Sequence, residues 1–286
     1  MLYNLENDKI KITVSTHGGE IHSIVSKMNN KEYLWDGNPS GWKYHAPILF
    51  PIVGKVNNNK YKVDGQVYEL PQHGLARTSE FKFLDKSEDY ITFELKYSED
   101  TLKVYPFKFS LQSKYTIGEN YVDIEYTVEN LDNKEMYFSI GSHPAFLCSL
   151  DNANKSYLKF EKSEIAGITK LNKEGCLIRE KEPYLSGDRI ELTKDIFKND
   201  ALIFDHLNSS KVSINCSSDN RVVSIDYSGF PYLGVWSPKN DANFVCIEPW
   251  CGHADFEDFH GELKEKEDIL SLQVNEKFKC NFTVSI

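Results

Sequence analysis

The sequence predicts an all-β fold, an antiparallel β-sandwich with few short helices. Three observations predict it. Apolar residues alternate with polar ones along many short runs, which is the pattern of a strand with one buried face. Residues that favour turns separate these runs. Sustained helical periodicity is nearly absent, and only residues 261–270 suggest a short helix.

The alternating runs extend over the whole chain. The clearest pair covers residues 109–117 and 122–128, and the three residues that follow the first run read Gly-Glu-Asn. Two alternating runs joined in this way predict a β-hairpin with a three-residue loop. Comparable runs occur at residues 10–14, 212–216, 223–227 and 278–286. With no linker, low-complexity segment or fixed-period repeat, the sequence predicts one domain over residues 1–286.

Composition limits the possible partners. The chain has 40% hydrophobic and 27% charged residues, so it can bury a core and is not disordered. The formal net charge of -10 disfavours nucleic acid and anionic membranes, since both attract a positive surface. Aromatic residues reach 13%, which suits stacking against flat ligands such as sugars.

The start of the chain lacks the apolar segment of an export signal. No stretch approaches the roughly twenty apolar residues that a transmembrane helix needs. We therefore expect a cytoplasmic protein whose six cysteines are reduced thiols.

Four stretches interrupt the alternation with polar residues that a sheet does not need. They read FPIVGKVNNNKY, ELPQHGLARTSEF, SIGSHPAF and CIEPWCGHADF, and begin at residues 50, 69, 139 and 246. We regard them as the candidate functional segments.

Two of these segments place an ionisable residue at an expected strand end. His143 precedes Pro144, which cannot continue a central ladder, so the strand should stop or bend there. Glu248 follows four apolar residues, and its strand is expected to end at Pro249. Partial burial beside Trp250 would raise the pKa of this glutamate and make it a better base. A packed, hydrogen-bonded histidine and an exposed strand-end glutamate are the structural alternatives.

His73 lies in a third segment, before Gly74. The glycine permits a tight turn that presents the imidazole, although an ordinary surface loop is the alternative.

Three chemistries compete for these residues. A metal site is disfavoured because HxH, HExxH and CxxC spacings are absent. A nucleophilic thiol, Cys246 or Cys251, lacks a cationic sequence neighbour that would lower its pKa. Acid–base catalysis by Glu248 and a histidine needs neither metal nor cofactor and is the leading interpretation. The cysteines are then buried thiols, and His253 and Asp255 are loop residues.

The order of several motifs adds a resemblance. GGEIHSIVSK, LFPIVGKV, DGQVYELPQHGLAR, SIGSHPAF, LGVWSP and CIEPW follow one another over nearly the whole chain. In this order they resemble the aldose 1-epimerase family of galactose mutarotase-like proteins, and in particular its shorter LacX-type bacterial branch.

The resemblance implies a β-supersandwich that interconverts the α and β anomers of an aldose without a cofactor. It implies that Glu248 is the general base at the anomeric hydroxyl and that His143 is the general acid at the ring oxygen. His73 would bind hydroxyls or assist at the ring oxygen, and Asp205 is the candidate for an aspartate that holds hydroxyls.

One motif departs from the family. Typical galactose mutarotases carry GRxxNR, whereas this chain reads Gly-Lys-Val-Asn-Asn-Asn at residues 54–59. Lys55 can replace the first basic residue, and Arg77 can fill the role of the second. Together they could bind a phosphate, so the expected ligand is a hexose or a hexose phosphate. A sugar-binding protein without catalysis is the alternative function, and monomer and homodimer both stay open.

Overall fold

A computed structural model of the chain describes residues 1–151, 153, 155–240 and 242–286. Most of this part is β-strand. The strands up to residue 150 are β1 (Leu2–Glu6), β2 (Ile10–Ser15), β3 (Ile21–Ser26), β4 (Lys31–Glu32), β5 (Ile48–Leu49), β6 (Lys60–Val63), β7 (Gln66–Glu69), β8 (Lys82–Lys86), β9 (Tyr90–Lys96), β10 (Phe109–Ile117), β11 (Tyr121–Asn130), β12 (Met136–Phe138), β13 (Ile140–Ser142) and β14 (Ala145–Leu147). The later strands are β15 (Tyr157–Leu171), β16 (Leu177–Glu191), β17 (Leu202–Asp205), β18 (Lys211–Cys216), β19 (Arg221–Asp226), β20 (Tyr232–Trp236), β21 (Phe244–Cys251), β22 (Leu270–Leu272) and β23 (Lys277–Ser285).

The strands assemble into one very large sheet and three small ones. The large sheet runs in the order β5-β13-β21-β20-β17-β15-β18-β19-β23-β11-β10-β9-β8, with β14 also paired to β21 and β16 to β15. The small sheets are β1-β2-β3-β4, β12-β22 and β6-β7. All pairings between these strands are antiparallel.

The hairpin predicted from alternation is confirmed. Strands β10 and β11 pair from Phe109 opposite Asn130 to Ile117 opposite Val122, and their alternate residues are buried. Strand β23, the last alternating run, pairs with the other edge of β11.

The four-stranded sheet packs face to face against the large sheet. Tyr3 of β1 stacks on Phe83 of β8 with ring centroids 4.9 Å apart and meets Phe93 of β9 edge-on at 5.5 Å. The Tyr115 hydroxyl donates a 2.6 Å hydrogen bond to the Gly19 carbonyl, which ties β10 to the turn before β3. The expected antiparallel β-sandwich is therefore confirmed.

Helical structure is short wherever the chain is described. The α-helix α1 (Glu99–Val104) is capped by Ser98, whose hydroxyl and backbone N–H form a capping box with Thr101. The 3-10 turns lie at Asn57–Asn59, Ala76–Thr78, Lys194–Phe197 and Leu263–Glu265. The helix expected at residues 261–270 is thus wrong in extent, because only one turn forms there. In the described residues, the helices are too short to cross a membrane.

The expectation of six free thiols is wrong for one pair. Cys148 and Cys216 are joined as a disulfide, with Cα atoms 5.4 Å apart. They are 68 residues apart in sequence, and only the tertiary fold brings them together. Cys176, Cys246, Cys251 and Cys280 are free.

Strand β21 does not end at Pro249, as the sequence suggested, but continues to Cys251. The Ile247 N–H donates to the Pro144 carbonyl, so alternate residues of β21 turn their N–H groups toward β13 and β14. The missing N–H of Pro249 therefore falls opposite Ser142, the last residue of β13, at the point where that neighbouring strand breaks off. A proline is tolerated at such a gap in the ladder.

Asp255 holds the loop that follows β21 in place. Its Oδ1 accepts a hydrogen bond of 2.8 Å from the Lys266 ammonium, and both side chains are almost fully buried. Its Oδ2 accepts from the Asn57 N–H at 2.9 Å, and its backbone pairs with Lys55 and Leu177. Asp255 is thus a structural junction between four chain segments, which is more than the loop residue that the sequence suggested.

We expect Asp255→Asn to lower the free energy of unfolding by about 3–5 kcal/mol, because it leaves the buried Lys266 ammonium without its counter-charge. Urea unfolding measures this change. Asp100→Asn is the matched control, since it removes the exposed Asp100–Lys103 pair and should leave stability nearly unchanged. Equal stability of the two variants would contradict the structural role of the buried pair.

Candidate active site

Glu248 and His143 are cross-strand neighbours on the large sheet. Gly141 lies opposite Trp250 and Ala145 lies opposite Cys246, so the intervening His143 is in register with Glu248. Residues in this relation carry side chains on the same face within contact distance. Their Nε2 and Oε2 atoms are 3.2 Å apart.

This pair lies in the wall of a pocket of about 250 Å³. The polar side chains that line the pocket are Gln72, His73, Arg77, His143, Asp200 and Glu248. The indoles that line it are Trp42, Trp236 and Trp250. The pocket combines a few convergent polar groups with flat apolar walls, as small-molecule sites generally do.

Burial raises the pKa of Glu248 and lowers the pKa of His143. Glu248 is 1% exposed, and its pKa lies well above the usual range because of burial and, secondarily, the Asp200 charge. Burial lowers the pKa of His143 to about 3, and the nearby Arg77 charge acts in the same direction. The two shifts therefore favour the uncharged pair, in which one proton lies on the glutamate.

Aromatic rings fix the His143 imidazole. It stacks on Trp42 with centroids 4.8 Å apart and meets Trp236 edge-on at 5.5 Å. Its ring also meets His73 edge-on at 5.6 Å. These contacts hold the ring beside Glu248 in one orientation.

Two glycines make room for the Trp250 indole. A Cβ at Gly234 would lie 2.5 Å from Trp250 Cζ2, and a Cβ at Gly141 would lie 2.6 Å from its Cδ1. Gly234 is also directly opposite Glu248. The strands on both sides of β21 thus lack side chains where the indole lies.

His73 is held in a defined protonation state. The Gly54 N–H donates to its Nδ1 at 3.1 Å, and the His73 N–H donates to the Gly54 carbonyl at 2.7 Å. Burial lowers the pKa of His73 well below its usual value, so the ring is neutral. Because Nδ1 accepts, the proton lies on Nε2, which is a hydrogen-bond donor.

The two predicted basic residues differ in position. Arg77 lines the pocket, its guanidinium lies 4.9 Å from the Tyr44 ring centroid, and its buried Nε has no hydrogen-bond partner among the described residues. Lys55 does not line the pocket. Its side chain packs on Gly175 at the rim, where a glycine Cβ would lie 3.1 Å from Lys55 Cδ.

Asp205 is not brought to the pocket with the others. It ends β17, and its carboxylate pairs with Lys181. Asp200, five residues earlier, lines the pocket and was missed by the sequence reasoning. The signal available was the polar Lys-Asn-Asp run before a strand, where a turn is expected. Asp200 occupies that turn with φ of 85°.

Comparison with known proteins shows the family of this chain. The sequence profile of the aldose 1-epimerase family matches residues 1–271. The chromosomal LacX protein of Lactococcus lactis subsp. lactis is 30% identical over 303 aligned positions, which cover 100% of this chain and 99% of that protein. This chain belongs to the aldose 1-epimerase family.

Solved structures of similar proteins share the whole fold. A galactose mutarotase related enzyme from Lactobacillus acidophilus is 34% identical, with a TM-score of 0.94 over 100% of this chain and 97% of that one. A galactose mutarotase-like protein from Lactobacillus casei is 30% identical, with a TM-score of 0.95 over 100% and 99% of the two chains. The family resemblance proposed from six motifs is therefore confirmed.

We expect Gly234→Ala to destabilise this epimerase-family protein by about 1–3 kcal/mol, since the new methyl group must displace the packed Trp250 indole. Urea unfolding followed by tryptophan fluorescence measures both the stability and the altered indole environment. An unchanged midpoint with unchanged fluorescence would mean that the indole moves freely, contrary to the close packing described.

Proposed function

We propose that this protein is an aldose 1-epimerase that interconverts the α and β anomers of a free hexose by ring opening, with Glu248 as general base and His143 as general acid. The observation that carries the proposal is the 3.2 Å separation of Glu248 Oε2 and His143 Nε2 in the wall of a sugar-sized pocket.

The separation suits the reaction. The anomeric hydroxyl oxygen and the ring oxygen are both bonded to C1, so the base and the acid must act on neighbouring atoms. Glu248 removes the proton from the anomeric hydroxyl while His143 gives a proton to the ring oxygen, and the C1–O5 bond breaks. After rotation about C1–C2, the O5 hydroxyl attacks the other face of the aldehyde. His143 takes the proton back from O5, and Glu248 gives its proton to the former carbonyl oxygen.

The pair needs only one proton throughout this cycle. Before ring opening the proton is on His143, and after ring opening it is on Glu248. Burial of both groups favours the second arrangement, and a bound sugar that hydrogen-bonds to the carboxylate favours the first. Because both arrangements carry the same number of protons, no exchange with solvent is needed between the two halves of the reaction.

Other pocket residues support sugar binding. The Nε2–H of His73 and the unpartnered Nε of Arg77 are donors for sugar oxygens, and the Asp200 carboxylate is an acceptor for hydroxyls. The Trp236 and Trp250 indoles offer apolar faces for the C–H surface of a pyranose. In this proposal Asp200 takes the hydroxyl-binding role for which Asp205 was the candidate under the family resemblance.

The charge of the lining favours an unphosphorylated substrate. Among the described lining residues, Arg77 is the only lysine or arginine, while Asp200 and Glu248 are both acidic. A phosphate dianion would face one guanidinium and two carboxyl groups, which is a poor anion site. Lys55 at the rim is the residue through which a 6-phosphate could still be accommodated.

We expect Glu248→Gln and His143→Asn each to lower the rate of catalysed anomer exchange by about 10²–10⁴-fold, since each removes one proton transfer. NMR exchange spectroscopy on glucose, galactose and their 6-phosphates measures the rate. Glu119→Gln, the same chemical change at an exposed glutamate, is the control.

Two outcomes of that experiment would contradict the proposal. Full activity of Glu248→Gln would remove the assigned base. Tight sugar binding by the unaltered protein, with anomer exchange no faster than in buffer, would establish the alternative of a sugar-binding protein without catalysis.

The pKa shifts predict a distinctive pH profile. When pH falls, activity is lost only as the pair gains a second proton, which the low His143 pKa of about 3 postpones. When pH rises, activity is lost as the pair gives up its last proton, at the raised pKa of Glu248. We therefore expect kcat/KM, corrected for the buffer rate, to remain near its neutral value at about pH 5, below the ordinary histidine pKa of about 6.5. An acid limb centred near 6.5 would contradict this prediction.

A further inference from the structure

A fully buried thiol lies next to the acid–base pair. Cys246 precedes Glu248 by two residues on β21, so both side chains are on the same face of the sheet. Cys246 packs with Phe244 and Trp236, whereas Val245 and Cys251 of the same strand belong to the main core on the opposite face. The epimerase mechanism assigns no role to this thiol.

We propose that His143, Cys246 and Glu248 form a binding site for a thiophilic divalent cation, of which Zn²⁺ is the type, and that the bound cation inhibits the enzyme reversibly. One ligand atom from each residue lies within 4.8 Å of the others. Imidazole nitrogen, thiolate sulfur and carboxylate oxygen together are the donor set that zinc prefers.

The geometry is close to that of a zinc centre with three protein ligands. Zinc bonds of about 2.0–2.3 Å place tetrahedral ligand atoms roughly 3.5 Å apart. The His143–Glu248 separation of 3.2 Å is already in that range, so closure requires only a small movement of the Cys246 side chain. The fourth position faces the pocket, because His143 and Glu248 line it, and water or a substrate oxygen can occupy it.

The charges around the site favour a cation. Binding releases the thiol proton and the proton shared by the acid–base pair, so the cation meets a thiolate and a carboxylate. Asp200 adds a third negative group close enough to act on Glu248, and Arg77 is the opposing positive charge in the lining.

Inhibition follows from which atoms the cation occupies. Glu248 cannot accept the anomeric proton and His143 cannot deliver one while both coordinate a metal. This inhibitory consequence rests on the proposed epimerase function, whereas the binding of the cation does not.

The binding test uses Co²⁺ as a spectroscopic replacement for zinc. Titration of the purified, metal-free protein should produce a thiolate-to-cobalt charge-transfer band that saturates at one equivalent per chain. Cys246→Ala should abolish the band, and Cys251→Ala, the same change on the opposite face of the strand, should retain it. Cys246→Ser is the second variant if the alanine variant does not fold, since a hydroxyl gives no such band. Absence of the band in the unaltered protein, or its retention without Cys246, would overturn the site.

The activity test compares each protein with its own metal-free rate. Zinc should slow anomer exchange in the unaltered protein and in Cys251→Ala, and a chelator should restore it. Cys246→Ala should need at least about tenfold more zinc, because even groups that only support a ligand are worth that much in metal affinity. A cobalt band in a protein without epimerase activity would refute the proposed function and leave the site intact. Full activity with neither a band nor zinc inhibition would refute the site alone.

Discussion

The burial of a glutamate in the middle of a strand without exposed residues is the constraint on which the site depends. All eight residues of β21 are buried, so Glu248 has no access to bulk water except through the pocket. A carboxyl group in that position must share a proton or a hydrogen bond with a neighbour, because an isolated buried charge is too costly. His143 is the neighbour, and the interruption of the adjacent strand at Pro144 is what lets its imidazole take that place.

The rest of the sandwich fixes the position of β21 and of the loop that follows it. β21 is held on one edge by β20 and on the other by β13 and β14, so its position is fixed from both sides. The loop after it is secured by the buried Asp255–Lys266 pair, which joins the segment that carries Gly54 and Lys55 to the same wall. Asp255, which has no role in the proposed reaction, thus holds two segments of the pocket wall together.

The fold could be predicted from local signals, whereas the pairing of His143 with Glu248 was implied by the family resemblance. Alternation along residues 109–128 reflects one buried face, and His143 and Glu248 each directly precede a proline. The rest depends on contacts between distant segments. The turn before β17 decides whether Asp200 or Asp205 faces the pocket. The disulfide between Cys148 and Cys216 depends on the packing of two segments that are 68 residues apart. The continuation of β21 past Pro249 depends likewise on a gap in the neighbouring strand, which no single segment reveals.

The bonds between Gly54 and His73 carry an evolutionary consequence. Gly54 has φ of 70°, a Cβ there would lie 2.6 Å from the Ala254 Cβ, and its backbone binds the imidazole ring of His73. Any mutation at position 54 therefore disturbs two walls of the pocket at once, and the site is intolerant there. Lys55 is next in the chain but lies on the rim, and its side chain neither contacts Ala254 closely nor binds the His73 ring. Residues at the rim can consequently change by single substitutions without disturbing this packing, while Gly54 and the pocket wall that it contacts stay under a strict steric limit.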